Sequence, residues 1–206
     1  MKKIGIMGGT FSPIHVGHLL LAQWAMAAEQ LDEIWFIPTG CSYLKANVNM
    51  PSAIDRFEMT RLAVANNPRM KCLDLEIKRE GNTYTCDTLV ELHKEYPDHH
   101  FHFIFGADCL FTIENWRNPQ QIFENCTIIA AVRGDTPLTE MTCKKDELEE
   151  KYAADIHLLP FLQLEISSTL VRDRLSKGDS IQYLVPDDVI AYIEEKGLYG
   201  FEHERE

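Results

Sequence analysis

The chain has 206 residues, 45% of them hydrophobic and 25% charged, and a net charge of −12 at pH 7. That length fits one domain with a small appended part, and the composition is that of an ordinary globular protein. The acidic balance excludes non-specific binding to nucleic acid, which needs a cationic surface; no apolar run reaches the ~20 residues that span a membrane.

Much of the acidity sits in residues 144–155 and 202–206, read as a solvated helix face and a frayed terminus. Met1-Lys2-Lys3 has the charge of a signal peptide. The apolar run after it is short and meets glycines at once, so it reads as the first strand of the mature chain. Cys41, Cys72, Cys86, Cys109, Cys126 and Cys143 are scattered and form no Cys-x-x-Cys. That pattern predicts free thiols and a reducing, cytoplasmic setting.

The first strand is predicted over residues 3–7. Gly8-Gly9-Thr10-Phe11-Ser12-Pro13-Ile14-His15-Val16-Gly17-His18 follows, then a proline-free amphipathic stretch that predicts a helix over 17–31. A helix N-terminus leaves backbone N–H groups unpaired and carries partial positive charge, so it attracts anions. Glycines at 8 and 9 let the backbone approach a ligand closely. Two imidazoles three residues apart share one face of the first turn, where both can donate to one phosphate. The segment holds no Gly-x-Gly-x-x-Gly and no Gly-Lys-Ser/Thr, so it is neither the dinucleotide fingerprint nor a P-loop.

A strand over 33–38 leads into a loop ending in the single cation Lys45, which by itself reads as a surface lysine. Ser52-x-x-Asp55 predicts the cap of a helix over 53–66, stopped by Pro68. After a strand over 70–75, a polar loop runs to Thr85, a candidate cap for a helix over 87–96 and equally part of a carboxylate or phosphate receptor. After a strand over 101–105 comes Gly106-Ala107-Asp108; an acid just past a strand end suits ribose hydroxyls, or caps a helix. Trp116-Arg117 stands in polar surroundings, which makes the indole a candidate stacking platform.

A short helix over 120–124 and a strand over 127–132 precede Arg133, a cation at a strand end. A helix over 144–152 and a strand over 156–159 follow. Ile166-Ser167-Ser168-Thr169-Leu170-Val171-Arg172 opens a helix over 169–177, with hydroxyls that supply caps or a second phosphate cradle. The last helix is predicted over 187–196, with Gly178 and Gly197 following helix ends. This alternation predicts an α/β fold, a doubly wound, mostly parallel sheet in a single domain 1–206, with a small C-terminal helical part over about 166–200. In such folds ligands lie beyond the carboxyl ends of the strands, where these motifs all fall.

The His-x-Gly-His segment resembles the signature of the nucleotidyltransferase superfamily. Taken with Tyr84-Thr85-x-Asp87-Thr88, Gly106-Ala107-Asp108 and Ile166-Ser167-Ser168-Thr169, the chain from Met1 to about Tyr199 resembles the bacterial nicotinate mononucleotide adenylyltransferases. The resemblance implies adenylyl transfer from ATP to nicotinate mononucleotide, giving deamido-NAD and pyrophosphate by direct attack. It implies His15 and His18 as electrostatic clamps. ATP would be bound by Gly8, Gly9, Thr10, Phe11, His15, His18, Gly106, Asp108, Ser167, Ser168, Thr169 and Arg172, and the mononucleotide by Lys45, Thr85, Trp116, Arg117 and Arg133. Mg²⁺ would come bound to ATP, without dedicated protein ligands. The sequence leaves open a homo-oligomer and gives no sign of a nucleic-acid or membrane partner.

Two positions depart from the family pattern. Ser12 stands where relatives usually carry Asp, keeping a hydrogen-bonding oxygen without the charge. Leu44 stands where they usually carry His, so no imidazole can contact phosphate there. The alternatives are adenylyl transfer to nicotinamide mononucleotide or phosphopantetheine, and a catalytically silent nucleotide sensor.

Overall fold

The computed structural model describes residues 1–40, 50–132 and 137–200. Six strands form one sheet: β1 (Lys3–Gly9), β2 (Glu33–Pro38), β3 (Met70–Cys72), β4 (His100–Gly106), β5 (Thr127–Val132) and β6 (Ile156–Pro160). The helices among the described residues are α1 (Val16–Ala28), α2 (Ala53–Val64), α3 (Thr85–Glu95), α4 (Ala107–Thr112), α5 (Pro119–Asn125), α6 (Leu138–Tyr152), α7 (Ser168–Leu175) and α8 (Asp187–Lys196).

The strand order is β3-β2-β1-β4-β5-β6, with β1–β4, β4–β5 and β5–β6 paired in parallel; Ile4 lies opposite Phe101 and Ile104 opposite Ile129. This is the doubly wound order, which reverses direction between β1 and β4. Strands covered on both faces read as continuous apolar runs: all six residues of β2, Glu-Ile-Trp-Phe-Ile-Pro, are buried, as are the four central residues of β5. Gly5 lets the neighbouring side chains close in: a Cβ there would come within 2.9 Å of methyls of Leu31 and Ile104, which would have to shift.

By its internal contacts the chain forms two compact units. One comprises Met1–Gly8, Leu21–Trp35 and Thr83–Gln163; the other comprises Gly9–Leu20, Phe36–Asn82 and Leu164–Glu206. In the first unit α3 packs on α5 and α4 on α6; in the second α2 packs on α8.

Several elements differ from the sequence expectation. β3 ends at Cys72 instead of running to residue 75, because the chain turns at Asp74, whose carbonyl accepts from the Lys78 N–H at 3.1 Å. α4 falls in a stretch read as loop; six residues are too few to display a helical apolar period, although Ala107 and Leu110 are buried. α6 begins six residues earlier than expected, its inner face marked only by Met141 and Leu148.

Glu114, in the 3-10 turn Ile113–Asn115, ties this turn to α6. It accepts from Lys144 Nζ at 2.6 Å, Lys151 Nζ at 2.7 Å and the Tyr152 hydroxyl at 3.1 Å. These hydrogen bonds, Lys144's first, hold its carboxyl well below the ordinary range, at about 2. A carboxylate whose folded value is depressed contributes stability above its unfolded value, and that stability is lost as pH falls toward the folded one. Thermal unfolding followed by circular dichroism should therefore show stability falling between about pH 4.5 and about 2, and Glu114→Gln should flatten that part of the curve. An unchanged profile would exclude Glu114 as its source.

Cys72, Cys86, Cys126 and Cys143 are free thiols. No helix among those residues is long and apolar enough to cross a membrane.

Candidate functional site

β1 ends at Gly9, and the chain reaches α1 through Thr10–His15. The Val16 N–H, which opens α1, donates to the Leu184 carbonyl at 2.9 Å, and the His18 N–H donates to the His15 carbonyl at 3.0 Å. The imidazoles of His15 and His18 are stacked, with centroids 3.7 Å apart and planes 30° apart. The shared face expected from their spacing is therefore present. His18 also meets the edge of Phe11, with centroids 5.1 Å apart at 83°. Its Nδ1 accepts from the His15 N–H at 3.3 Å, so in the neutral ring the proton sits on Nε2.

The need for Gly17 between the histidines is geometric. A Cβ there would stand 3.0 Å from His15 Nδ1 and 3.1 Å from its Cε1, a tight approach to which the ring would have to yield. Gly9 has a similar neighbour, the Phe11 ring at 3.1 Å. Phe11 itself adopts a left-handed backbone, φ 46°, and is 3% exposed, so it offers the turn its backbone and its packing.

The Ser167–Arg172 segment lies on this same turn. Ser167 is the N-cap of α7, accepting from the Leu170 N–H at 3.1 Å. Ser168 Oγ donates to the Pro13 carbonyl at 2.8 Å. Arg172 donates to the Ser12 carbonyl at 2.7 Å and to Thr169 Oγ1 at 3.0 Å. Two motifs some 155 residues apart thus form one cluster. Ser12 is buried, and its hydroxyl lies 3.1 Å from that of Tyr199. Burial pushes the Tyr199 phenol up to about 12, so it stays a neutral hydrogen-bonding group at pH 7.

Arg56 and Tyr199 are the residues of this cluster that sequence reasoning missed. Arg56, on α2, is 3% exposed and donates to the Thr10 carbonyl at 2.8 Å and the Gly40 carbonyl at 3.0 Å. Burial lowers its pKa. A signal existed: the buried stripe of α2 runs Arg56, Met59, Thr60, Val64, which puts an arginine in register with the core face.

The other unit holds Thr85, Gly106, Asp108, Trp116 and Arg117. Thr85 is the first helical residue of α3 and Tyr84 occupies the N-cap position without a side-chain bond, so Thr85 does not cap the helix as expected. The helix begins two residues earlier than its pattern suggests, which moves Thr85 into the first turn. The Arg117 guanidinium lies 4.4 Å from the Tyr84 ring centroid and 3.7 Å from an Asp87 carboxylate oxygen, bringing the Trp116-Arg117 segment against the start of α3. Trp116 is partly exposed and leans on Phe103 and Phe105, which share one face of β4, at 6.3 and 6.1 Å. Its setting is thus more aromatic than its sequence neighbours suggest. Gly106 is the N-cap of α4, and Asp108 is exposed in the first turn rather than at the cap. Lys45 and Arg133 lie outside the described residues, as do Ser42, Tyr43 and Leu44.

The cytidylyltransferase-like family profile matches residues 6–174 of this chain. A probable nicotinate-nucleotide adenylyltransferase of Lachnoclostridium phytofermentans is 45% identical over 199 residues, covering 97% of this chain and 100% of the relative. A protein of Shouchella clausii with the same description is 38% identical over 204 residues, covering 99% and 100%. Among solved structures, Plasmodium falciparum nicotinic acid mononucleotide adenylyltransferase complexed with NaAD superposes with a TM-score of 0.79 at 24% identity, covering 98% of this chain and 99% of that one. Its complex with APC gives 0.77 at 23%, with the same coverage. Those two structures carry the fold, and the curated relatives carry the family. The chain belongs to the cytidylyltransferase-like family, among the nicotinate-nucleotide adenylyltransferases.

Proposed function

We propose that this protein transfers the adenylyl group of ATP to nicotinate mononucleotide, releasing deamido-NAD and pyrophosphate in NAD biosynthesis. Full-length similarity to curated relatives supports the reaction. The observation that carries the reading onto these residues is the seating of α7 on the glycine-histidine turn, through Ser168–Pro13 and Arg172–Ser12.

An oxygen of the mononucleotide phosphate attacks the α-phosphorus in line. The bond from that phosphorus to the bridging oxygen breaks, and pyrophosphate leaves with the electron pair. The attacking phosphate is ionised at pH 7, so no base or protein nucleophile is required. The protein's work is positioning and stabilising charge on the phosphoryl oxygens. In this reading His15 and His18, beside the positive end of α1, hold the α- and β-phosphates, with Gly8, Gly9, Thr10 and Phe11 along the nucleotide. Ser167, Ser168, Thr169 and Arg172 lie on the triphosphate side, and Gly106 and Asp108 serve a ribose. Thr85 and the amides around Trp116-Arg117 receive the nicotinate carboxylate, Trp116 stacks on the pyridine ring, and Lys45 and Arg133 complete the acceptor's phosphate contacts.

Mg²⁺, if it arrives bound to ATP, would supply charge neutralisation on the phosphates. Among the described residues no three His, Cys, Asp or Glu side chains converge as a metal cage. A single catalytic domain over 1–206 and a cytoplasmic setting belong to the same proposal.

The test is a product assay by mass, with ATP and nicotinate mononucleotide, nicotinamide mononucleotide and phosphopantetheine in competition. Deamido-NAD should dominate, because amides placed for a carboxylate are poorly paired by a carboxamide. Preference for the amide by about tenfold would overturn the acceptor assignment. ATP binding without any product would favour a silent sensor.

A further inference from the structure

We infer that Arg56 is a positioning residue for the nucleotide turn, fixing the peptide between Thr10 and Phe11 and through it the ring of His18; this rests on the adenylyl-transfer reading above. Arg56 stands in the first turn of α2, a helix capped by Ser52, whose Oγ accepts from the Asp55 N–H at 3.1 Å. Asp55 is held in turn by the hydroxyl of Tyr192 on α8 at 3.0 Å. The base of Arg56 is therefore anchored from two sides.

Its guanidinium is buried, yet no carboxylate of a described residue pairs with it; its partners are the carbonyls of Thr10 and Gly40. Burying a charge against neutral carbonyls alone is costly, and an apolar side chain would fill the space at less expense. What the arginine does that an apolar residue cannot is hold the residues that follow β1 and β2 with one rigid fork.

In a trans peptide the C=O and N–H point in opposite directions. Holding the Thr10 carbonyl toward α2 therefore turns the Phe11 N–H the other way. Arg172 holds the Ser12 carbonyl at 2.7 Å from α7. Phe11, between the two fixed carbonyls, keeps a left-handed φ of 46° that an L-residue adopts only when its surroundings impose it. Its ring, 5.1 Å from that of His18, passes this constraint to the imidazole. The charge of Arg56 also adds to the positive end of α1 in favouring a bound phosphate.

The experiment compares wild type, Arg56→Lys and Arg56→Ala. ATP affinity is measured by calorimetric titration without acceptor, then kcat and both KM values. Arg56→Lys keeps the charge and most of the volume but cannot bridge both carbonyls. It should weaken ATP about tenfold and lower kcat, with the mononucleotide KM little changed. Methylguanidinium should restore ATP affinity to Arg56→Ala. Folded Arg56→Lys with wild-type ATP affinity, or an equal rise in both KM values, would overturn the inference. If Arg56→Ala does not fold, Arg56→Lys decides. Wild type that binds ATP without making dinucleotide would sink the functional reading, while the titration would still judge Arg56.

Discussion

His18→Ala is expected to lower kcat by about a hundredfold or more with the fold intact, a loss of about 3 kcal/mol of transition-state stabilisation. Removing one preorganised donor from a developing anion typically costs that much. The geometry prepares His18 for this work. Its Nδ1 receives the His15 N–H, which in the neutral ring leaves the proton on Nε2 as a donor. The stack on His15 and the edge contact with Phe11 fix the ring before substrate arrives. Preorganisation of this kind lowers the barrier because no reorientation is needed as charge develops. His18 is only half-buried, so its removal should leave the sheet core unaffected. Steady-state kinetics with circular dichroism as the folding control provides the readout. Unchanged turnover in the folded variant would remove His18 from the clamp.

Trp116→Ala should raise KM for nicotinate mononucleotide about tenfold or more and move KM for ATP much less. Stacking on an aromatic platform is worth about 1–3 kcal/mol per base by truncation. The indole is held by Phe103 and Phe105 while remaining partly exposed, the arrangement of a platform rather than of a core residue. Behind it, the hydrogen bonds of Glu114 to α6 fix the turn from which Trp116 emerges. Trp116→Phe should retain most of the affinity, since it keeps a π-face. Equal rises in both KM values would show that the ring does not belong to the acceptor.

The fold was legible because buried parallel strands announce themselves as apolar runs. β2 and β5 match their expected bounds at both ends, and α8 begins and ends where its pattern places it. Boundaries failed where tertiary packing outweighed local pattern: α4 is too short to show a period, and α3 starts on Thr85 rather than beyond it. Within the candidate site, the histidine pair and the helix-opening hydroxyls were readable, because their spacing alone places them on one turn. Arg56 and Tyr199 were not singled out. A charged residue in a helical stripe looks like a solvated one until its partners are known, and those partners are backbone carbonyls and one hydroxyl, groups every chain carries.

By itself, then, the sequence determined the α/β alternation, the anion-attracting start of α1 and the family. Only the tertiary structure decided which donors meet which acceptors. Arg172 reaches the Ser12 carbonyl across 160 residues, and Arg56 reaches Thr10 across 46. Such pairings follow from how helices dock on a sheet, and local propensity carries no record of them.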